Sequence, residues 1–175
     1  LIVSPKATGE VTGYSAGVAA PYGGLDSSTV RVDGPGNTNT LYGQSSPAAI
    51  WVKGLSINGF TDWYLPAKDE LTTLYINLKP TTGTNSVTGG AAYYSVPART
   101  QYPSTTNPAQ TSVALFQAGG AQAFEANLYN RSDDQFGTGG STIVFVNGDT
   151  NSGYSIATTS NFYWRAIRRV AVGAI

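Results

Sequence analysis

The chain has 175 residues, of which 41% are hydrophobic and only 11% charged, with Lys plus Arg and Asp plus Glu balanced at 10 each. That length suits one domain with its own core, and the even charge lacks the basic surplus that nucleic acid or an anionic membrane surface requires. Without Cys, His or Met, disulfides, thiol chemistry, the usual zinc ligands and a Ser-His-Asp relay are excluded.

Charged residues make up about a quarter of an ordinary soluble domain, so Ser, Thr, Asn, Gln, Gly and Tyr must cover this surface. The 11 Tyr, 6 Phe and 3 Trp set the chain apart from disordered sequences. No apolar run reads as a signal peptide or a membrane span, and no membrane insertion is expected. The chain starts abruptly on strand-like Leu1-Ile2-Val3-Ser4 with no initiator Met. It is therefore read as a single domain, residues 1–175, cut from a longer polypeptide.

Residues 1–3 read as a strand bounded by Ser4-Pro5. Residues 9–44, rich in Gly, Ser, Thr and Asn, are expected to be mostly irregular, with a short strand at 29–32. Ser46-Pro47 reads as a helix start, and Ala48, Trp51, Val52 and Leu55 share one face. Asn58-Gly59 is expected to end it. A second helix follows Pro66, with Leu71, Leu74, Tyr75 and Leu78 on one face. Asp69 and Glu70 lie in its first turn, and Pro80 stops it.

Strand signals then take over. Residues 93–96 form one expected strand. Residues 113–116 and 121–124 flank Gly119-Gly120 as a hairpin that sets Leu115 opposite Phe124. Residues 143–146 precede the turn signal Asn147-Gly148. Residues 162–170 close the domain, with Phe162, Trp164, Ala166 and Val170 on one face and Tyr163, Arg165, Ile167 and Arg169 on the other. The order predicts an α+β fold, two helices packed on a twisted antiparallel sheet with long loops.

Residues 59–71, G-F-T-D-W-Y-L-P-A-K-D-E-L, resemble the G-[FY]-x-D-W-x-L-P-[ST]-x-x-E-L signature of the collagen-like-adhesin C-terminal domain family. Leu1-Ile2-Val3-Ser4-Pro5-Lys6 looks like that family's first strand, Tyr93-Tyr94-Ser95 like its Y-W-S-S strand, and residues 164–170 like its closing V-R-A-V-R-R strand. Tyr94 stands where the family has Trp, and Val96 where it has a second Ser. The resemblance implies a C-type-lectin-like fold and a place in a bacterial surface adhesin, a secreted repeat protein or a phage tail or virion protein. Binding of glycans or host surfaces is the function it implies. Read from the residues alone, the signature is structural. Trp63 and Leu65 fill the core between the loop and the second helix, Asp62 braces a turn, and Arg165 and Arg169 reach Asp69 or Glu70.

Calcium is the one metal to weigh, because calcium-dependent lectins hold sugar through it. Their Glu-Pro-Asn or Gln-Pro-Asp and Trp-Asn-Asp motifs are missing. The nearest substitutes are Asn147, Asp149 and Asn151, with the 130–134 run weaker. No cofactor is expected. Glu125, Asp133, Asp134 and Asp149 show no spacing that fixes a catalytic pair, so the chain is not read as an enzyme. Loop Tyr supplies rigid amphipathic contact area and loop Asn or Gln supplies adaptable hydrogen bonds. On that ground Tyr102, Asn107, Tyr129, Asn130, Gln135, Tyr154, Asn161 and Tyr163 are the candidate ligand-binding residues.

The preferred reading is a binding module for a cell-surface glycan or receptor, displayed on a virion or cell exterior, such as a phage fibre tip. Two alternatives stand beside it. One is a structural virion or surface-filament subunit that contacts copies of itself. The other is a secreted bacterial adhesin domain. Homo-oligomerisation, a trimer by analogy with fibre tips, is expected alongside contacts with other subunits of one assembly.

Overall fold

The computed structural model describes residues 1–13, 31–87, 89–126, 128–136, 139–155 and 162–170. Among them it is an α+β fold. The elements run β1 (Ile2–Val3), α1 (Lys6–Gly9), β2 (Glu10–Thr12), α2 (Gly34–Gly43), α3 (Pro47–Lys53) and α4 (Lys68–Leu78). After a 3-10 turn at Ala114–Phe116 come β3 (Leu128–Phe136), β4 (Gly139–Val144), β5 (Thr150–Ser155), β6 (Phe162–Arg165) and β7 (Ile167–Arg168). β1 pairs antiparallel with β7, and a five-stranded sheet has the order β2-β6-β3-β4-β5. Its pairs are antiparallel except β3 with β6. None of the described helices is long and apolar enough to cross a membrane.

Local chemistry sets the two expected helices. Ser46 Oγ accepts a hydrogen bond from the Ala49 N–H at 3.5 Å, and Pro47 opens α3. The helix stops at Lys53, before Asn58-Gly59. Those two residues instead form a tight turn, with φ of 52° and 80°. Ile57 and Phe60 exchange backbone hydrogen bonds of 3.0 Å across it. In α4 the Glu70 carboxylate accepts from the Ala67 N–H at 3.0 Å, satisfying one donor that the first turn leaves open. The expected irregular stretch also holds a ten-residue helix, α2. Asp33 caps it by accepting from the Gly36 N–H at 3.1 Å. Buried Thr38 donates to the Gly34 carbonyl at 2.8 Å and accepts from the Leu65 N–H at 3.0 Å. Gly, Pro, Asn and Thr are poor helix formers, so burial rather than propensity holds α2. Arg31 and Val32 are helical, not extended, while Thr29 and Val30 lie outside the described residues.

Two apolar clusters make the core, and a pair of extended segments runs between them. Trp63, Leu65, Trp164 and Ala166 join Leu41, Ala48, Ala49 and Val52 on one side. Tyr64 and Ile167 join Leu71, Leu74, Tyr75, Phe124, Tyr129 and Phe145 on the other. Alternate side chains of an extended chain point to opposite faces, so each segment feeds both clusters. Tyr64 and Ile167 lock the two together, donating backbone hydrogen bonds to each other's carbonyls at 2.9 and 3.1 Å. The closing strand is therefore buried on both faces rather than one. Trp63 and Leu65 pack with α2 and α3, not beside α4 as the sequence suggested. Val170 falls outside the buried face, 37% exposed.

One expected strand and one expected hairpin do not form. Residues 93–96 make a turn. In place of the hairpin, a 3-10 turn at Ala114–Phe116 runs into a turn at Gly119-Gly120, with Leu115 57% exposed and Phe124 buried. Phe124 stacks on Phe145 at 4.3 Å, and the Ala118 N–H donates to the Pro80 carbonyl at 2.9 Å. The segment thus wraps onto the end of α4. The expected strand at 143–146 starts earlier, as β4, and stops at Val144 before the Asn147-Gly148 turn.

Arg165 ties this scaffold together. Its side chain is buried and donates to the Ser4 carbonyl at 2.9 Å, Glu10 Oε2 at 2.9 Å and Gln122 Oε1 at 3.2 Å. Glu10 Oε2 also accepts from the Tyr129 hydroxyl at 2.8 Å. Sequence reasoning paired Arg165 with Asp69 or Glu70. Its actual partner comes from β2, in the stretch expected to be irregular. Arg165→Met leaves Glu10 buried with its main partner gone, and should cost about 3–5 kcal/mol in urea unfolding. Adding Glu10→Gln should recover a large share of that loss.

The buried phenols set a second expectation. Burial raises Tyr64, Tyr75, Tyr102 and Tyr129 above the ordinary value of 10.0. The folded state thus keeps protons that the unfolded state releases. Their contribution is complete below pH 10 and is lost as pH rises above it, by about 1.4 kcal/mol per pH unit for each phenol. Lys79, which burial pulls below 10.5, works in the opposite sense only until that pH. Urea midpoints should fall steeply beyond it, and less steeply in Tyr75→Phe.

Candidate functional site

The residues singled out from sequence do not converge. Tyr102 and Tyr129 are core residues. Tyr102 is 4% exposed, donates to the Gly148 carbonyl at 3.0 Å and packs on Tyr75 at 5.4 Å. Tyr129 is fully buried against Phe124 and Phe145. Burial removes both rings from any surface contact. Asn107 is exposed, in a turn whose N–H donates to Ser104 Oγ at 3.1 Å. Tyr163 is half-buried in β6, its ring 5.4 Å from Tyr129. Asn130 and Gln135 belong to β3 and Tyr154 to β5, but their side chains lie outside the described residues, as does Asn161 altogether.

The oxygens weighed for calcium are engaged locally. Asn147 Oδ1 accepts from the Asp149 N–H at 3.0 Å. Asp149 Oδ1 accepts from the Thr150 N–H at 3.0 Å and the Ser86 hydroxyl at 3.2 Å. This is turn chemistry. The side chain of Asn151 lies outside the described residues. Among those residues, no three His, Cys, Asp or Glu side chains come together as a metal site. Glu125 pairs with Lys6.

What the fold does assemble is a surface around the start of α4. Asp69 and Glu70, neighbours in its first turn, are both buried, and the helix N-terminus favours their negative charge. Asp69 holds an aromatic turn. One of its oxygens accepts from the Tyr94 N–H at 2.8 Å, and the other pairs with buried Arg31 at 3.3 Å. Arg31 also donates to the Ala91 carbonyl at 3.3 Å. Its guanidinium lies 5.1 Å from the Tyr93 ring centroid and 5.5 Å from that of Tyr94. Ala92 and Arg99 exchange backbone hydrogen bonds of 2.9 Å at the base of the turn. Beyond this clamp Tyr93 and Tyr94 are 50% and 42% exposed, and Val96 is fully exposed before Pro97.

Glu70 holds the other half. It accepts from the Tyr64 hydroxyl at 2.7 Å and pairs with Arg169 at 2.8 Å. Arg169 also donates to the carbonyl of Val32, next to Arg31 in the chain. This is the Arg169 contact expected from sequence. Asp62, read as a turn brace, instead accepts two hydrogen bonds from Arg168 at 2.7 and 2.9 Å. Those bonds hold its carboxyl below the ordinary carboxylate value. Arg168 in turn lies 3.8 Å over the Phe60 ring. Between these pairs opens a cavity of about 260 Å³ lined by Pro35, Lys53, Asp62, Trp63, Tyr64 and Arg169.

Sequence reasoning missed Tyr93, Tyr94 and Arg31 as parts of one surface. The signal available was an adjacent aromatic pair shortly before Val96-Pro97, which disfavours a continuing strand. Compared with protein-family models, with curated proteins and with solved structures, the chain matches none.

Proposed function

We propose that the chain is a binding module for a cell-surface glycan or receptor, displayed on a virion or cell exterior, and built on a C-type-lectin-like arrangement. The observation that carries the function is the Tyr93-Tyr94 pair, exposed on a turn that buried Arg31 and Asp69 hold from beneath. A sugar ring offers an apolar C–H face and a hydroxyl edge. Tyr answers both, with an aromatic face and a phenol. Because the clamp orders the turn before any ligand arrives, binding forfeits little conformational entropy. The antiparallel pairing of β1 with β7, which sets Ile2 and Val3 against Arg168 and Ile167, is the feature that supports the fold assignment.

The test uses an array of immobilised oligosaccharides, probed with and without calcium while light scattering reports mass in solution. The expected result is selective binding by a discrete monomer or trimer. Tyr93→Ala with Tyr94→Ala should lower that binding at least about tenfold. Because both rings are half-exposed, stability should change by only about 0.5 kcal/mol. Absence of binding together with growth into larger particles would replace this reading with that of a self-assembling structural subunit.

A further inference from the structure

Of the four lysines, Lys79 alone is buried, at 1% exposure. It follows the last residue of α4, and its Nζ donates to the carbonyls of Gly83 and, at 3.3 Å, Pro108. Among the described residues no carboxylate lies within ion-pair range of it. The buried guanidiniums of Arg31 and Arg165 each have one. A desolvated charge held by carbonyls alone is costly. In the unlinked chain burial accordingly draws the Lys79 amine below 10.5, toward its neutral form.

The neighbour of that amine is an amide. Asn85 Nδ2 donates to the same Pro108 carbonyl at 2.9 Å and to the Ser104 carbonyl at 3.4 Å. Asn85 Oδ1 accepts from the buried Tyr75 hydroxyl at 2.8 Å. An amine and a carboxamide thus converge on one carbonyl oxygen inside the protein, with an O–H donor already on the amide oxygen. We propose that Lys79 and Asn85 are the site of an intramolecular isopeptide bond. Lys79 Nζ attacks Asn85 Cγ, the Cγ–Nδ2 bond breaks, and the two protons that the ammonium gives up go to the departing nitrogen. The products are a neutral secondary amide and a free ammonium ion, so atoms and charge balance without any co-reactant. The Tyr75 hydroxyl stabilises the amide oxygen while it carries charge in the tetrahedral intermediate. The driving force is electrostatic, because one amide replaces another while the buried positive charge leaves for water. In a chain without Cys, the bond closes residues 79–85 covalently, as a disulfide does elsewhere.

The experiment is intact-mass spectrometry of the purified full chain, followed over time. The expected species is lighter than the sequence mass by one ammonia. Trypsin releases residues 69–99 as one peptide, since Pro80 blocks cleavage after Lys79. Its fragmentation should return no sequence ions from the bonds between Lys79 and Asn85, because one break inside a closed loop separates nothing. Lys79→Met and Asn85→Ala should each keep the full mass, and Tyr75→Phe should slow the appearance of the lighter species about 100-fold. A chain that stays at its full sequence mass would overturn the proposal, and that reading needs no variant to fold. So would an ammonia loss that persists in Lys79→Met. An ammonia loss mapped to Asn58-Gly59 or Asn147-Gly148, where the glycine nitrogen can close a ring on the Asn side chain, would overturn it as well. None of these outcomes depends on whether the chain binds a glycan.

Discussion

The scaffold depends on burying the Arg165 guanidinium. A desolvated cation is tolerated only when its donors are met, and here they reach Ser4, Glu10 and Gln122. Those partners come from the first residues of the chain and from the segment that wraps over the end of α4. One side chain on β6 therefore fixes β2, the wrapped segment and, through Glu10, the hydroxyl of Tyr129. Phe124, with its ring centroid 5.2 Å from the guanidinium, is held in the same place.

A buried carboxylate paired with arginine recurs twice at the start of α4, where buried Arg31 pairs with Asp69 and half-exposed Arg169 with Glu70. In a chain with only 11% charged residues, placing carboxylates inside has a consequence outside. The exterior is left even more neutral than the composition suggests. Such a surface presents aromatic faces, hydroxyls and amides more than charge. The two acids also join core to surface. Glu70 is bonded to Tyr64 in the second apolar cluster, while Asp69 one residue earlier orients the exposed turn.

Much of the helical architecture was legible because its signals are local. Ser46-Pro47 and the Ala48/Val52 spacing located α3, and the leucine spacing after Pro66 located α4. The closing strand was visible as an apolar alternation, but not that both its faces are covered, since Arg165 reads as an outward residue until Glu10 is placed beside it. α2 was hidden by its composition, and the 113–124 segment misread because Gly119-Gly120 does form a turn, but one that follows a 3-10 turn at Ala114–Phe116 instead of joining two strands. The site was less legible still. Tyr102 and Tyr129 look like loop contact residues because their hydroxyls are polar, yet both are core rings whose hydroxyls are satisfied inside. Tyr93 and Tyr94 are the same residue type with the opposite fate. The difference lies in Arg31, far away in the chain, and no periodicity announces it.

Exposed apolar side chains alone would not single out the turn. Tyr42, Ile50, Phe60, Val113 and Leu115 are also exposed, and scattered exposed apolar residues are ordinary on soluble proteins. The turn at 92–99 differs in the order imposed on it. A cation beneath two rings, a carboxylate on the intervening backbone and a closed base together prevent the aromatic pair from folding back onto the protein. Such order has a conformational cost that burial alone does not require. A protein that maintains it in the absence of a partner has met in folding a cost that binding would otherwise carry. Asp69 and Glu70, at successive positions of one helix, thus organise two separate contacts, the first with the exposed turn and the second with Arg169.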